Sequence, residues 1–165
     1  MFFFIGRDNK CFGESCYTFE ETGKTWSENR DTCSGKGGDL VSIETEEEWQ
    51  FINAEIQKLT ICEPNEWHIG LMKVGDDWQW VNGKPLTINK WQDGQPDGDG
   101  YFTVMSKDYP VGSQGLFNDL ANFNLRAYIC EFPKGKRMKI TIKYKKNTKS
   151  LIVLLNFLNK IDQFL

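Results

Sequence analysis

Histidine is almost absent from this 165-residue chain, where His68 stands alone. No Cys-x-x-Cys pair accompanies it, so the closely spaced Cys and His ligands of a zinc site are missing. A Ser-His-Asp triad would have to use that one histidine, and no nucleophile motif goes with it. Long apolar runs are missing too, since none approaches the roughly 18 residues that span a bilayer. Met1-Phe-Phe-Phe-Ile-Gly-Arg7 is too short for a signal peptide and lacks a basic start and a cleavage site.

What is plentiful is aromatic: 14% of the residues, six of them Trp, within a hydrophobic content of 39%. This composition predicts one folded domain with a real core and argues against disorder. Charge is divided unevenly. Residues 1–132 carry 11 Lys and Arg against 22 Asp and Glu, a net of −11, whereas residues 133–165 carry nine against one, a net of +8. The two parts are chemically different objects, and the expected division is an arm at 1–10, a domain at 11–132 and a poorly ordered, basic then apolar extension at 133–165. Five cysteines in a turn-rich chain point to an oxidising compartment, hence a secreted or extracellular protein, with at least one cysteine left unpaired within the chain.

The most distinctive stretch is Trp91-Gln-Asp-Gly-Gln-Pro-Asp-Gly-Asp99, with three Asp, two Gly and a Pro in nine residues. Gly and Pro forbid a regular helix or central strand, so this is a loop whose polar side chains sit at a surface. Asp93, Gln95, Asp97 and Asp99 alternate along it. Oxygen ligands at that spacing suit a hard cation that takes six to eight oxygens, Ca²⁺ rather than Zn²⁺. Taken alone, such a loop is only a solvated turn; the rest of the chain supplies the context.

Cys16-Tyr-Thr-Phe19 alternates like a short strand, and Glu20 to Lys24 reads as a polar turn. Thr25-Trp-Ser-Glu28 is a capping box that starts a helix from Trp26 to about Ser34, with Trp26, Asn29 and Cys33 inward and Gly35, Gly37 and Gly38 ending it. Leu40-Val-Ser-Ile43 is a short apolar strand. Thr45-Glu-Glu-Glu48 is a second capping box, followed at helical spacing by a core stripe of Trp49, Ile52, Ile56 and Leu59. Glu63-Pro-Asn65 reads as a turn before the strand Trp67-His-Ile-Gly-Leu71, which gives His68 a structural or surface role. Trp78-Gln-Trp-Val81 alternates and runs into Asn82-Gly83, a strong hairpin signal. Beyond the loop come the strand Tyr101 to Met105, a turn-rich segment from Asp108 to Gly115, Leu116-Phe-Asn-Asp-Leu120, and a last strand from Arg126 to Phe132. Asn118 and Asp119 are again adjacent oxygen ligands, so two oxygen-rich points can converge on one ion.

Seven segments in this order resemble the C-type lectin-like domain: Cys16-Tyr-Thr-Phe19, Thr25-Trp-Ser-Glu28 with Cys33, Gly38 to Ile43 before Thr45-Glu-Glu-Glu48, Trp67 to Leu71, Gln95-Pro-Asp97, Phe117-Asn-Asp119 and Tyr128-Ile-Cys-Glu131. The resemblance implies an α+β fold in which two helices flank two small antiparallel sheets and a long Ca²⁺-binding loop emerges. It also implies a Cys33–Cys130 disulfide and a short Cys11–Cys16 bridge, with Cys62 free. Phe102 and Asn122 stand about where the family places a second disulfide that brackets the loop.

The function implied is a calcium-dependent lectin, not an enzyme. Gln95, Asp97, Asn118 and Asp119 match the family's Ca²⁺ ligands, with Asp99 standing in for a further Glu of a longer loop and Pro96 cis between its two neighbours. Gln95, Asp97, Asn118 and Asp119 would also bond sugar hydroxyls, and Tyr101 is the candidate stacking aromatic. Gln-Pro-Asp is the galactose-type order, so the implied partners are glycans ending in galactose or N-acetylgalactosamine. The competing reading is a calcium-independent module that binds a protein ligand. A glycosidase is disfavoured because an acid of raised pKa needs an apolar pocket and this loop is polar. No nucleic-acid partner is expected. The basic tail is read as an extension without an evolved role, in preference to an arm lying on an anionic membrane.

Overall fold

The computed structural model describes residues 10–59 and 65–135. Residues 1–9 of the arm expected at 1–10, Cys62 and the extension beyond residue 135 lie outside the described residues, and with them the expectations made for each, while Lys10 is described and lies in a strand. Helix α1 spans Trp26–Gly35 and begins as the capping box requires: the Thr25 hydroxyl takes the Glu28 amide, and the Glu28 carboxylate takes the Thr25 amide. Its buried residues are the expected Trp26, Asn29 and Cys33. Helix α2 spans Glu46–Gln57, two residues shorter than its apolar stripe, with Ile52 and Ile56 fully buried and Trp49 and Leu59 packed at the edge of the core.

The second capping box closes only halfway. Thr45 accepts from the Glu48 amide, but the Glu48 carboxylate bonds the Glu44 amide at 2.9 Å and the Tyr17 hydroxyl at 2.6 Å. A tertiary partner outcompetes the local one, because a buried phenol left without an acceptor costs more than an amide at a solvent-facing helix end. Burial and the Glu48 carboxylate together push the Tyr17 hydroxyl above its ordinary range.

The described residues form eight strands beside the two helices: β1 Lys10–Phe12, β2 Ser15–Lys24, β3 Asp39–Leu40, β4 Glu66–Val74, β5 Asp77–Trp80, β6 Phe102–Ser106, β7 Phe117–Leu120 and β8 Arg126–Pro133. Glu20 to Lys24 is not a separate turn. It continues β2 along β8 through a register shift between Glu20 and Lys24, a pairing that local polarity cannot signal. The two antiparallel groups implied by the family are present, but they are joined. Parallel pairing of Trp67 with Ala127 and His68 with Tyr128 fuses them into one mixed sheet, ordered β1-β2-β8-β4-β6-β7, with β3 on β8 and β5 on β4.

Beside that joint lies Gly70, where a Cβ would fall 2.8 Å from the carbonyl oxygens of Leu40 and Val41. Only glycine lets its amide bond Val41 O at 2.8 Å and its carbonyl accept from Val81 N at 2.7 Å. Alternate residues of β4 serve opposite faces. Trp67, Ile69 and Leu71 join Ile52, Ile56, Trp80, Met105 and Phe117 beneath α2, while α1 covers a smaller cluster of Trp26, Leu40, Tyr128, Phe132 and the Cys33–Cys130 disulfide. The Cys11–Cys16 bridge ties β1 to β2. Asn82-Gly83 turns a hairpin as expected, with the Trp80 amide bonding Lys84 O at 2.9 Å.

His68 is buried completely on the α1 side. Its Nδ1 lies 2.9 Å from the Asn29 amide nitrogen, which also reaches the Lys24 and Arg126 carbonyls. Burial, and next the nearby Arg126 guanidinium, push its pKa down to about 3, so the ring is neutral and Nδ1 accepts.

Candidate functional site

The loop from Asp93 to Tyr101 is fastened at both ends before any of its carboxylates is considered. At its entrance Trp91 pairs with Phe117, whose amide donates to Lys90 O at 2.7 Å and whose carbonyl accepts from Gln92 N at 2.9 Å. The Trp91 ring meets Phe117 edge-on and leans on Trp78 at 4.8 Å, which makes it core. At the exit the Lys73 amide holds Tyr101 O at 2.9 Å, and Phe102 enters β6 opposite Leu120.

Within the loop, Gly94 and Gly98 take the positive φ values of 80° and 88° that the turns require, and the Gln95–Pro96 bond is cis, as the resemblance implies. Gln95 Oε1 accepts from the Asp97 amide at 3.0 Å, and Asp97 Oδ1 accepts from the Asp99 amide at 3.0 Å. These are the short-range turns that Asx and Gln side chains make.

Asp119 organises the rest. It sits on β7 with no solvent exposure, and its carboxylate collects loop amides: Asp97 N at 3.1 Å on one oxygen, Gly98 N at 3.1 Å and Gly100 N at 3.4 Å on the other. A carboxylate has about four lone-pair positions, so one acceptor direction is left over. The arrangement brings Asp97, Asp99 and Asp119 together, with a carboxylate oxygen of each within 4.8 Å of the others. Loss of hydration, reinforced by Asp97 and Asp119, raises the Asp99 pKa.

Of the other expected site residues, Gln95 joins the group through Asp97. Asn118 lies next to Asp119 on β7, and its Oδ1 is buried with no hydrogen-bond partner among the described residues. Tyr101 is 65% exposed at the loop's exit, free to offer a ring face. Asp93 is exposed and does not belong to the acidic group. The grouped donors are all carboxylate oxygens, with the unpartnered Asn118 carbonyl one residue from Asp119 along β7, and such a set fits a hard divalent cation such as Ca²⁺.

Three contributors to the site carry no motif of their own. Gly100 lies so close to β7 that a Cβ would fall 2.0 Å from the carbonyl carbon of Leu120, and that approach is what delivers its amide to Asp119. Phe102 stacks on Trp26 at 4.4 Å, and Asn122 Oδ1 accepts from both the amide and the hydroxyl of Ser27 at 3.0 Å. The two positions expected to lack a disulfide therefore each contact α1, one by ring stacking and the other by hydrogen bonds. The signal for Asn122 was its place in the family pattern; nothing in its neighbours announces a helix cap arriving from 95 residues away.

The sequence model of the lectin C-type domain matches residues 22–132, the span that holds both helices, the loop and the strands that carry it. The chain belongs to the C-type lectin domain family. It is 33% identical over 134 residues to mouse C-type lectin domain family 4 member E, covering 76% of this chain and 58% of that protein. It is 34% identical over 86 residues to the galactose-specific lectin nattectin of Thalassophryne nattereri, covering 52% of this chain and 54% of that one. The chain spans about half the length of the curated relatives it matches. A calcium-independent type II antifreeze protein superimposes with a TM-score of 0.63 at 25% identity, over 76% of this chain and 91% of that one. C-type lectin domains are binding modules, not enzymes, and the family includes carbohydrate-binding members. Among the described residues of this C-type lectin domain, no helix is long and apolar enough to cross a membrane.

Proposed function

We propose that this C-type lectin domain binds carbohydrate in a calcium-dependent manner, with a galactose-type preference, outside the cell. The observation that carries the reading is the convergence of Asp97, Asp99 and Asp119 within 4.8 Å. Like charges at that distance favour a cation between them. In this reading Gln95, Asp97, Asp99, Asn118 and Asp119 hold Ca²⁺, and the unpartnered Oδ1 of Asn118 supports its inclusion. Bound Ca²⁺ supplies open coordination positions for two adjacent sugar hydroxyls. The chain's own part is to choose the sugar: the Gln95 amide donates to one hydroxyl and the Asp97 carboxylate accepts from another, so the amide-then-acid order selects the hydroxyl geometry. Tyr101 offers a ring to the apolar face of the sugar. The partners are glycans ending in galactose or N-acetylgalactosamine, a class that matches the description of nattectin as galactose-specific. Two disulfides support the extracellular setting.

A second reading, a calcium-independent surface for a protein ligand, is favoured by one observation. The Asp119 carboxylate already accepts from three loop amides, which occupy three of its about four acceptor directions. The likeness to a calcium-independent antifreeze protein agrees with it.

Calorimetric titration separates the two. Ca²⁺ is titrated into the chain, followed by galactose and then mannose at saturating calcium, with Asp97→Ala alongside. The expected outcome is a calcium dissociation constant on the order of 10⁻⁴ to 10⁻³ M, the range of extracellular modules, and galactose heat that the substitution abolishes. Absence of calcium binding up to about 10 mM, beyond that range, rejects the lectin reading in favour of the protein ligand.

A further inference from the structure

The contacts that shape the 93–101 loop all lie within the chain. Its entrance is held by Phe117, its exit by Lys73, and its middle by the Asp119 carboxylate. The strands on either side are tied to the N-terminal turn of α1, through Phe102 on Trp26 and through Asn122 on Ser27. We infer that Asp119, Gly100, Phe102 and Asn122 form a latch that holds the loop in its binding shape before any ligand arrives. Phe102 and Asn122 are its positioning residues, doing by separate contacts with α1 what a covalent bond between the two positions would do.

Geometry gives the latch its specificity. The amides of Asp97, Gly98 and Gly100 can converge on one carboxylate only if the loop lies flat on β7. That approach depends on Gly100, because any side chain there meets the Leu120 backbone, which cannot yield. The second half works from the helix end. The Ser27 amide is among the first four of α1, which have no partner inside the helix. Asn122 supplies one, so a single bond both completes the helix and fixes the chain leaving β7. This inference shares Asp119 with the calcium reading but rests on the loop amides and the contacts with α1, which can be tested with calcium removed.

The test is hydrogen exchange on the full chain in EDTA, read at the amides of Asp97, Gly98 and Gly100 and at those of β4 and β8. In the wild type the three loop amides are expected to exchange at least about tenfold more slowly than in an unstructured peptide, as hydrogen-bonded amides do. Asn122→Ala, at an exposed position, is expected to speed them about fivefold, the scale of one lost helix cap, and Gly100→Ala more than that. Exchange in β4 and β8 stays unchanged in both. Ile52→Val serves as the control, a mild core change that raises core exchange without favouring the loop. Unprotected loop amides in the wild type, or loop exchange that neither substitution alters, would overturn the inference. So would a rise that β4 and β8 share equally. Since EDTA is present throughout, a latched loop and a domain that binds no calcium are separate outcomes.

Discussion

The sheet beneath α1 and the loop at 93–101 each bury a titratable side chain completely, and they satisfy it by opposite means. His68 lies in a strand whose neighbours have already committed their amides to the ladder, so the sheet offers its ring no backbone donor or acceptor. It is held neutral, with one nitrogen on Asn29 and the other without a partner among the described residues. Asp119 faces a glycine-containing loop whose amides are not in any ladder, and three of them turn toward it. A sheet can bury a polar side chain by removing its charge, whereas an irregular loop can bury a carboxylate by surrounding it with backbone donors.

The contrast breaks hardest on the sheet side. The Cys33–Cys130 bond joins residues 97 apart. Replacing both cysteines by alanine is expected to lower unfolding free energy by about 4 to 5 kcal/mol on the chain-entropy scale, measured by denaturant titration. A loss under about 1 kcal/mol would show that the small cluster beneath α1 does not depend on its disulfide.

Titration probes the same side from another direction. The pKa of His68 is about 3 in the fold and the ordinary 6.5 when unfolded, so the unfolded chain takes up the proton first as pH falls. Stability is therefore full above pH 6.5 and declines below it, by roughly 2 to 3 kcal/mol at about pH 4.5, at 1.4 kcal/mol per unit. His68→Gln should remove about one proton from the slope of stability against pH in that window. An unchanged slope would assign the acid sensitivity to other groups, though not to Glu66, whose carboxyl is raised by burial against the pull of Arg126, so that its protonation favours the fold.

The smallest expected effect lies where the two regions meet. Thr25→Ala removes the cap of α1 and should cost about 1 kcal/mol, read by denaturant titration. Because Asn122 caps the same turn, the two substitutions combined should lose a different amount from the sum of their separate losses. Strict additivity would mean that the helix end does not transmit between core and loop.

Much of this was legible in the sequence because the physics behind it is local. The first capping box, the inward face of Trp26, Asn29 and Cys33, the Asn82-Gly83 hairpin and the stripe through Ile52 and Ile56 all follow from spacing and side-chain type. Both disulfides and the grouping of Asp97 with Asp119 came from the family pattern. What escaped were contacts made by backbone or across long separations. The amides that bind Asp119 have no residue signature, and the diversion of Glu48 to Tyr17 depends on a strand 31 residues earlier. The fusion of the two antiparallel groups rests on two residue pairs that no periodicity marks.

The pairing of β2 with β8 sets Ser15 against Pro133, so the chain enters and leaves the domain side by side. A pulling force across those ends would enter at Cys16 through its bridge to Cys11 and peel the strands apart one pair at a time, a weak geometry for bearing load. After Cys16–Phe132 and Tyr17–Glu131 the peeling reaches Thr18–Cys130, where the bond to Cys33 diverts the tension. Everything between Cys33 and Cys130, the acidic loop included, then lies off the load path. A domain strained in this way would yield its β1–β2 rim first.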